Sequence, residues 1–311
     1  MPWPADTPPQ AAYVAAAGFE AQLAEELARA GQPPPLWHGR LAMSEAPPIQ
    51  AAWALECWTT PLLLPAPSVG GAADALRAIQ RNWALLPGAH QGRAKLIEAR
   101  LPVVKARPMA FPEPAPTSHL GGWCLLSPDI ILASPTKTSP FPNGEPGFIE
   151  DREGPPSRAY LKLWEGLTRW GQRPAAGATC IDLGAAPGGW SWALAKLGAR
   201  VTAVDKAPLA PSVMAMPEVT WQQDSAFALE PRPVDWLFSD VICYPPRLLA
   251  LVRRWIAADT ARHIMVTIKF QSGTDHDTAE AFAAIPGGRL FHSAQNKHEL
   301  TFAWTRPTDA S

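Results

Sequence analysis

The spacing of apolar residues changes along this chain, and the change divides it in two. Near the start, the apolar run Ala12-Tyr-Val-Ala15 leads through Gly18 to Phe19, Leu23 and Leu27, which recur every four residues on one helical face. The pattern predicts a short strand and a helix over 19–29, stopped by Gly31 and the prolines behind it. A second amphipathic helix is expected over 72–84, ended by Pro87-Gly88, and the segments 36–43 and 51–64 read as strand-like stretches broken by prolines. The proline-rich stretch 108–116 reads as a linker. Beyond it, 122–126 and 130–133 flank Ser127-Pro128-Asp129 as a hairpin.

From residue 157 onward, short apolar runs alternate with helical periodicity, the sign of a parallel sheet covered on both faces. Strands are expected at 179–183, 200–205, 219–222, 235–239 and 263–269, with a terminal pair at 289–293 and 299–304. Helices fall near 157–170, 189–197, 245–258 and 275–284. The expectation is therefore an α/β protein: an amino-terminal α+β domain over 1–107, a linker and hairpin over 108–150, and a doubly wound domain over 151–311.

Composition narrows the class. Of 311 residues 47% are hydrophobic, yet 36 prolines interrupt them, and no uncharged apolar run is long enough to span a bilayer. The opening Met1-Pro-Trp-Pro-Ala-Asp6 lacks the basic and apolar regions of a secretory leader, so a cytoplasmic protein is expected, with no membrane partner. The cysteines Cys57, Cys124, Cys180 and Cys243 stand far apart, which suggests neither a disulfide framework nor a zinc site. His276, His292 and His298 share no ligand spacing, and no metal is expected. A net charge of -1 is unlike that of a general nucleic-acid binder, so any RNA contact must rest on local clusters such as Arg93, Lys95, Arg100, Lys105 and Arg107. Trp37, Trp53, Trp58 and Trp83 are either core residues or stacking surfaces for bases.

The most informative segment is Asp182-Leu-Gly-Ala-Ala-Pro-Gly-Gly-Trp190, which follows a strand and opens a helix. In a doubly wound sheet that turn lies beside the ligand, outside the carboxyl ends of the strands. Gly184, Ala186, Pro187, Gly188, Gly189 and Trp190 are thus candidate cofactor-binding residues. The following strands end at or beside Asp205, Asp224 and Asp240, candidates for the ribose hydroxyls, the adenine amino group and the cationic end of a cofactor. So many carboxylates disfavour a pyrophosphate and favour a ligand bearing a sulfonium and an ammonium group.

These residues carry a resemblance. The segment 182–190 is similar to the first motif of the FtsJ family of RNA ribose 2′-O-methyltransferases, and Ser157-Arg158 with Leu161-Lys162-Leu163 resembles that family's preceding helix. Ser139-Pro140-Phe141, Pro156-Ser157-Arg158, Val219-Thr220-Trp221 and Asp235-Trp236 extend the likeness to members that methylate a cytidine ribose of large-subunit rRNA. Ala17-Gly18-Phe19-Glu20 resembles the opening of their THUMP-bearing amino-terminal region. The resemblance implies a Rossmann-like methyltransferase sheet, a smaller and degenerate THUMP or ferredoxin-like domain that binds RNA, S-adenosylmethionine as cofactor, and 23S rRNA or its precursor as partner.

It also implies a catalytic tetrad of Lys162, Asp240, Lys269 and Glu299. Lys269 would align the ribose 2′-hydroxyl and receive or steer its proton, and the two carboxylates would hold the lysines by charge-assisted hydrogen bonds.

Two other readings remain open. Asp240-Val-Ile-Cys243 has the spacing of the Asp-x-x-Cys of RNA cytosine-C5 methyltransferases, although Lys269 stands where that chemistry wants a second cysteine and Cys180 lies on another strand. A protein that binds cofactor or RNA without catalysis is the other. Tyr244-Pro245-Pro246 is displaced and reversed relative to the Pro-Pro-aromatic clamp of amino-group methyltransferases.

Overall fold

The computed structural model describes residues 3–4 and 7–307. Met1, Pro2, Ala5 and Asp6, on which the expectation about a leader partly rests, lie outside the described residues, as do residues 308–311. Contacts divide the chain into two units: residues up to Met109 with Ala115–Gly147, and Ala110–Pro114 with the chain from Phe148 onward.

The first unit contains β1 (Ala11–Ala15), α1 (Glu20–Arg29), β2 (Leu36–His38), β3 (Leu41–Ser44), β4 (Ala54–Trp58), β5 (Leu62–Pro65), α2 (Val69–Ile79), β6 (Trp83–Leu85), α3 (Gln91–Glu98), β7 (Gly121–Ser127) and β8 (Ile130–Ser134). They form two four-stranded sheets, ordered β2-β3-β1-β4 and β5-β8-β7-β6. Val14, Leu41 and Trp58 of the first sheet share a buried cluster with Cys124 and Leu132 of the second. On the far side of the second sheet, Ala73, Leu76, Ala94 and Ile97 of α2 and α3 bury against Trp123, Leu125 and Ile131.

The hairpin expected to belong with the linker is therefore β7 and β8, central strands of this unit. Trp123, Leu125 and Ile131 face the helices while Cys124 and Leu132 face the other sheet, so both faces are buried and the pair cannot be a surface excursion. The helix expected over 72–84 is shifted. Ser68 caps it by accepting from Gly71 N at 3.0 Å, and it ends at Ile79. Trp83 and Ala84 belong instead to β6, with the Trp83 indole donating back to Leu76 O at 2.9 Å. Trp53, Trp58 and Trp83 are core residues, whereas Trp37 is 37% exposed. Within the basic segment, Arg93 donates to Ala66 O and Lys95 pairs with Glu98, while Lys105 and Arg107 are exposed.

The second unit contains α4 (Tyr160–Trp170), β9 (Thr179–Leu183), α5 (Gly189–Lys196), β10 (Arg200–Asp205), α6 (Pro211–Met214), β11 (Val219–Gln223), β12 (Val234–Ser239), α7 (Pro245–Ala257), β13 (Ala261–Lys269), α8 (His276–Ala283), β14 (Gly288–Phe291) and β15 (Glu299–Thr305). Its sheet runs β11-β10-β9-β12-β13-β15-β14, parallel from β11 to β13 and antiparallel for the last two strands. The chain passes from β9 outward to β10 and β11, then returns across β9 to β12. The carboxyl ends of β9 and β12 thus flank a topological switch point, where a doubly wound sheet leaves a crevice.

Candidate active site

A cleft of about 290 Å³ opens at that switch point. Gly184, Ala186, Pro187, Gly189 and Trp190 line it from the β9–α5 turn, Asp205 from the end of β10, Asp240 from the end of β12, and Lys269 from the end of β13. Gly184 has a φ of +74°, and a side chain there would bring a Cβ to 2.8 Å from Cβ of Val241. Its absence keeps the two strand ends close. Gly188, at a φ of +109°, turns the chain into α5 without lining the cleft.

The polar groups of the cleft are held in place. Asp205 accepts from Ala186 N at 3.0 Å and from Ala207 N at 2.9 Å, which fixes its carboxylate against the glycine turn. The Trp190 indole donates to Ala159 O at 2.9 Å, leaving its ring as a rigid wall. Asp182 is buried, and burial pushes its carboxyl up to about 7. Nearby Asp240 and Asp205 push the same way, against the Ser191 hydroxyl that donates to it at 2.7 Å. Oδ1 of Asp240 is buried with no donor in hydrogen-bond geometry. Three carboxyl groups around a turn of glycine, alanine and proline fit a ligand with positive charge, as S-adenosylmethionine is.

Beside the cleft, Lys162, Asp240, Lys269 and Glu299 come together. Lys162 Nζ donates to both carboxylate oxygens of Glu299, at 2.8 and 2.7 Å. It also lies 3.6 Å from Asp240 Oδ1, while Lys269 Nζ lies 3.1 Å from that same oxygen and donates to Asp240 O at 2.5 Å. One carboxylate therefore stands between two ammonium groups. Lys162 projects from α4, Asp240 follows β12, and Lys269 and Glu299 are register partners across β13 and β15. That pairing sets the last two residues side by side although they are 30 positions apart.

A second layer was not foreseen from the sequence. Glu165, one turn after Lys162 on α4, is fully buried and accepts from Arg169 Nε at 2.7 Å, Ala294 N at 2.8 Å and Gln295 N at 3.0 Å. It ties the β14–β15 connection, which leads directly into Glu299, to the helix that bears Lys162. The same connection is held from the other side, where Phe270 N, next to Lys269, donates to His298 O at 3.1 Å. An acidic residue at i+3 on an otherwise apolar helix face was the available signal. Ser157, Asp182, Val241 and Ile242 also line the cleft.

Several sequence candidates lie elsewhere. Asp224 is not among the cleft-lining residues; its carboxylate accepts from Ser225 N at 2.7 Å. Cys243 is buried, and burial pushes its thiol up, more strongly than Arg247 and Lys269 pull it down. Cys180 is buried within β9. Burial holds the imidazole of His292 down at about 4, and its ring meets Lys297 O at 3.0 Å. Among the described residues, no group of three His, Cys, Asp or Glu side chains could hold a metal, and no helix is long and apolar enough to cross a membrane.

The switch-point cleft and its glycine turn define a Rossmann-like methyltransferase domain. Residues 155–251 match the FtsJ-like methyltransferases. The chain is 38% identical over 165 residues to ribosomal RNA large subunit methyltransferase M of Halorhodospira halophila, covering 51% of this chain and 48% of that protein. Over 178 residues it is 38% identical to the protein of the same name from Aromatoleum aromaticum, covering 53% and 48%. It thus spans about half the length of the curated relatives it matches. Among solved structures, the magnesium protoporphyrin IX methyltransferase of Synechocystis matches 48% of this chain and 79% of its own at 14% identity, with a TM-score of 0.36.

Proposed function

We propose that this protein methylates a ribose 2′-hydroxyl of RNA with S-adenosylmethionine, and that its target is a cytidine of 23S rRNA or its precursor, in the cytoplasm. The observation that carries the reading is the cluster of Lys162, Asp240, Lys269 and Glu299 at the edge of a carboxylate-lined cleft. The similarity to proteins named ribosomal RNA large subunit methyltransferase M favours the RNA and the subunit.

When bound, the cofactor supplies an electrophilic methyl group on a cationic sulfur. Gly184, Ala186, Pro187, Gly189 and Trp190 would border it, with Asp205 accepting from its ribose hydroxyls and Asp240 facing its positive end. Asp224, held by Ser225 beyond the cleft lining, would approach the adenine edge only from the rim. As an ammonium, Lys269 would orient the ribose 2′-hydroxyl by donating to its oxygen; to take up the hydroxyl proton it must first release one of its own to solvent. Asp240, held between the two ammonium groups, fixes where Lys269 points, and Glu299 fixes Lys162. Such positioning supplies a large part of the rate, because effective molarities of well-oriented groups reach roughly 10⁵ M or more.

The cytosine-C5 alternative asks Cys243 to act as a thiolate. A thiol that burial pushes up is poorly suited to that task. Transfer of labelled methyl to protein-free large-subunit rRNA, followed by nucleoside analysis, separates the readings. 2′-O-methylcytidine supports the proposal and 5-methylcytidine contradicts it.

A further inference from the structure

The segment that joins Asp240 to α7 exposes two large apolar side chains beside the cleft. Ile242 is 75% exposed and lines the cleft; Tyr244 is 67% exposed; Cys243 between them is buried. This alternation puts Ile242 and Tyr244 on one outward face, on the order of 7 Å apart at the rise of an extended chain. Burying either would stabilise the protein, so their exposure calls for a reason.

The backbone holds Tyr244 in place. Tyr244 is extended, at φ -66° and ψ 140°, and Pro245 and Pro246 follow it at the start of α7. A proline restricts the residue before it to extended conformations and fixes its own φ, so the tyrosine is carried on a stiff stalk. Tyr244 O is further engaged by Arg247 N at 3.0 Å. One turn into α7, the exposed Arg247 guanidinium lies 3.8 Å from the centroid of the Phe227 ring, a cation held in position with no ion-pair partner among the described residues. An aromatic on a restricted backbone, an aliphatic neighbour and a positioned cation suit an unstacked base and its phosphate, because a tyrosine has only two side-chain torsions to fix when a base stacks on it.

We propose that Ile242 and Tyr244 form a stacking shelf for the base of the acceptor nucleotide and that Arg247 meets the phosphate of the same strand. The inference rests on the function proposed above. The occupant follows from continuity. Ile242 belongs both to the shelf and to the cleft in which Asp240 and Lys269 meet, so a ribose presented to Lys269 carries its base toward Tyr244.

The test compares full-length wild type, Tyr244→Ala, Tyr244→Phe, Tyr244→Trp and Arg247→Gln, with protein-free large-subunit rRNA as the probe. Loss of base–aromatic stacking weakens binding by roughly 5- to 150-fold, so Tyr244→Ala should raise KM for RNA by about tenfold or more. S-adenosylmethionine affinity and Tm should be unchanged, and the Phe and Trp variants should stay within about twofold of wild type. Arg247→Gln should reduce the slope of log affinity against log salt by about 0.7, the value of one phosphate contact on a single strand. An unchanged KM in Tyr244→Ala, or a Phe variant as impaired as the Ala variant, overturns the shelf while leaving the methyl-transfer reading in place. A wild type that transfers no methyl to RNA overturns that reading and the shelf with it.

Discussion

Lys162 reaches both carboxylate oxygens of Glu299, at 2.8 and 2.7 Å, across 137 residues of sequence. The pair is mostly enclosed, with side-chain exposures of 17% and 9%, so it works against desolvation and repays that cost only while both partners are present. Removing one partner should be worse than removing both. Glu299→Ala should lower stability by about 3 kcal/mol, and the double variant Lys162→Met with Glu299→Leu should recover most of it in urea unfolding. Methyl transfer should be lost in both. A double variant that regained activity along with stability would show that the pair is only structural.

Glu165 gives a related expectation. Its replacement by Ala removes the acceptor of two backbone amides and of Arg169 Nε, and should cost about 3 to 5 kcal/mol. Glu165→Gln keeps one acceptor oxygen and should fold. Because the tethered connection leads into Glu299, the Gln variant should lose kcat while KM for S-adenosylmethionine stays near wild type. A KM effect without a kcat effect would contradict the positioning role.

Burial pushes Asp182 up to about 7 from 3.8, so the folded state keeps a proton that the unfolded chain releases. Between about pH 4 and 7 the folded state binds more protons, and the contribution of this group to stability falls as pH rises. His292, held down at about 4, runs the other way, losing stability as pH falls from 6.5 toward 4 and masking the effect in the wild type. Asp182→Asn should therefore gain stability over wild type as pH rises from 4 to 7, by up to about 4 kcal/mol, and level off above. Urea unfolding at a series of pH values checks this, and a pH-independent difference would contradict it.

Cys243→Ala tests the remaining enzymatic rival. With the thiol buried, its removal should change stability by about 1 kcal/mol and leave methyl transfer within a few-fold of wild type. Loss of product together with an unchanged fold would revive the cysteine reading.

The carboxy-terminal unit was legible in the sequence because its central strands are buried on both faces and read as largely apolar runs. The 182–190 turn, Asp205 and Asp240 marked the cleft in advance, whereas Asp224 falls outside its lining, and the four tetrad residues fell at strand ends and on the helix expected for them. What escaped was set by partners distant in sequence. Glu165 is one acid on an apolar helix, and its role depends on amides 129 and 130 residues away. In the amino-terminal unit the prolines masked the strands. β7 and β8 read as an isolated hairpin because the sheet they complete is built from β5 and β6, which precede them by more than 30 residues. Trp83 read as the end of a helix because apolar periodicity cannot tell a last helical turn from the three-residue strand that follows it.

The role of Lys269 is tested most directly by methyl transfer from S-adenosylmethionine to protein-free large-subunit rRNA by wild type, Lys269→Ala and Lys269→Arg, with cofactor binding measured by calorimetry on the same preparations. A 2′-O-methylnucleoside is expected from the wild type, and a rate in the alanine variant lower by about 10² to 10⁴ with cofactor affinity retained. The arginine variant should be little better, because a guanidinium cannot take up the proton. Full transfer by Lys269→Ala would rule out a catalytic role for this lysine and for the cluster around it.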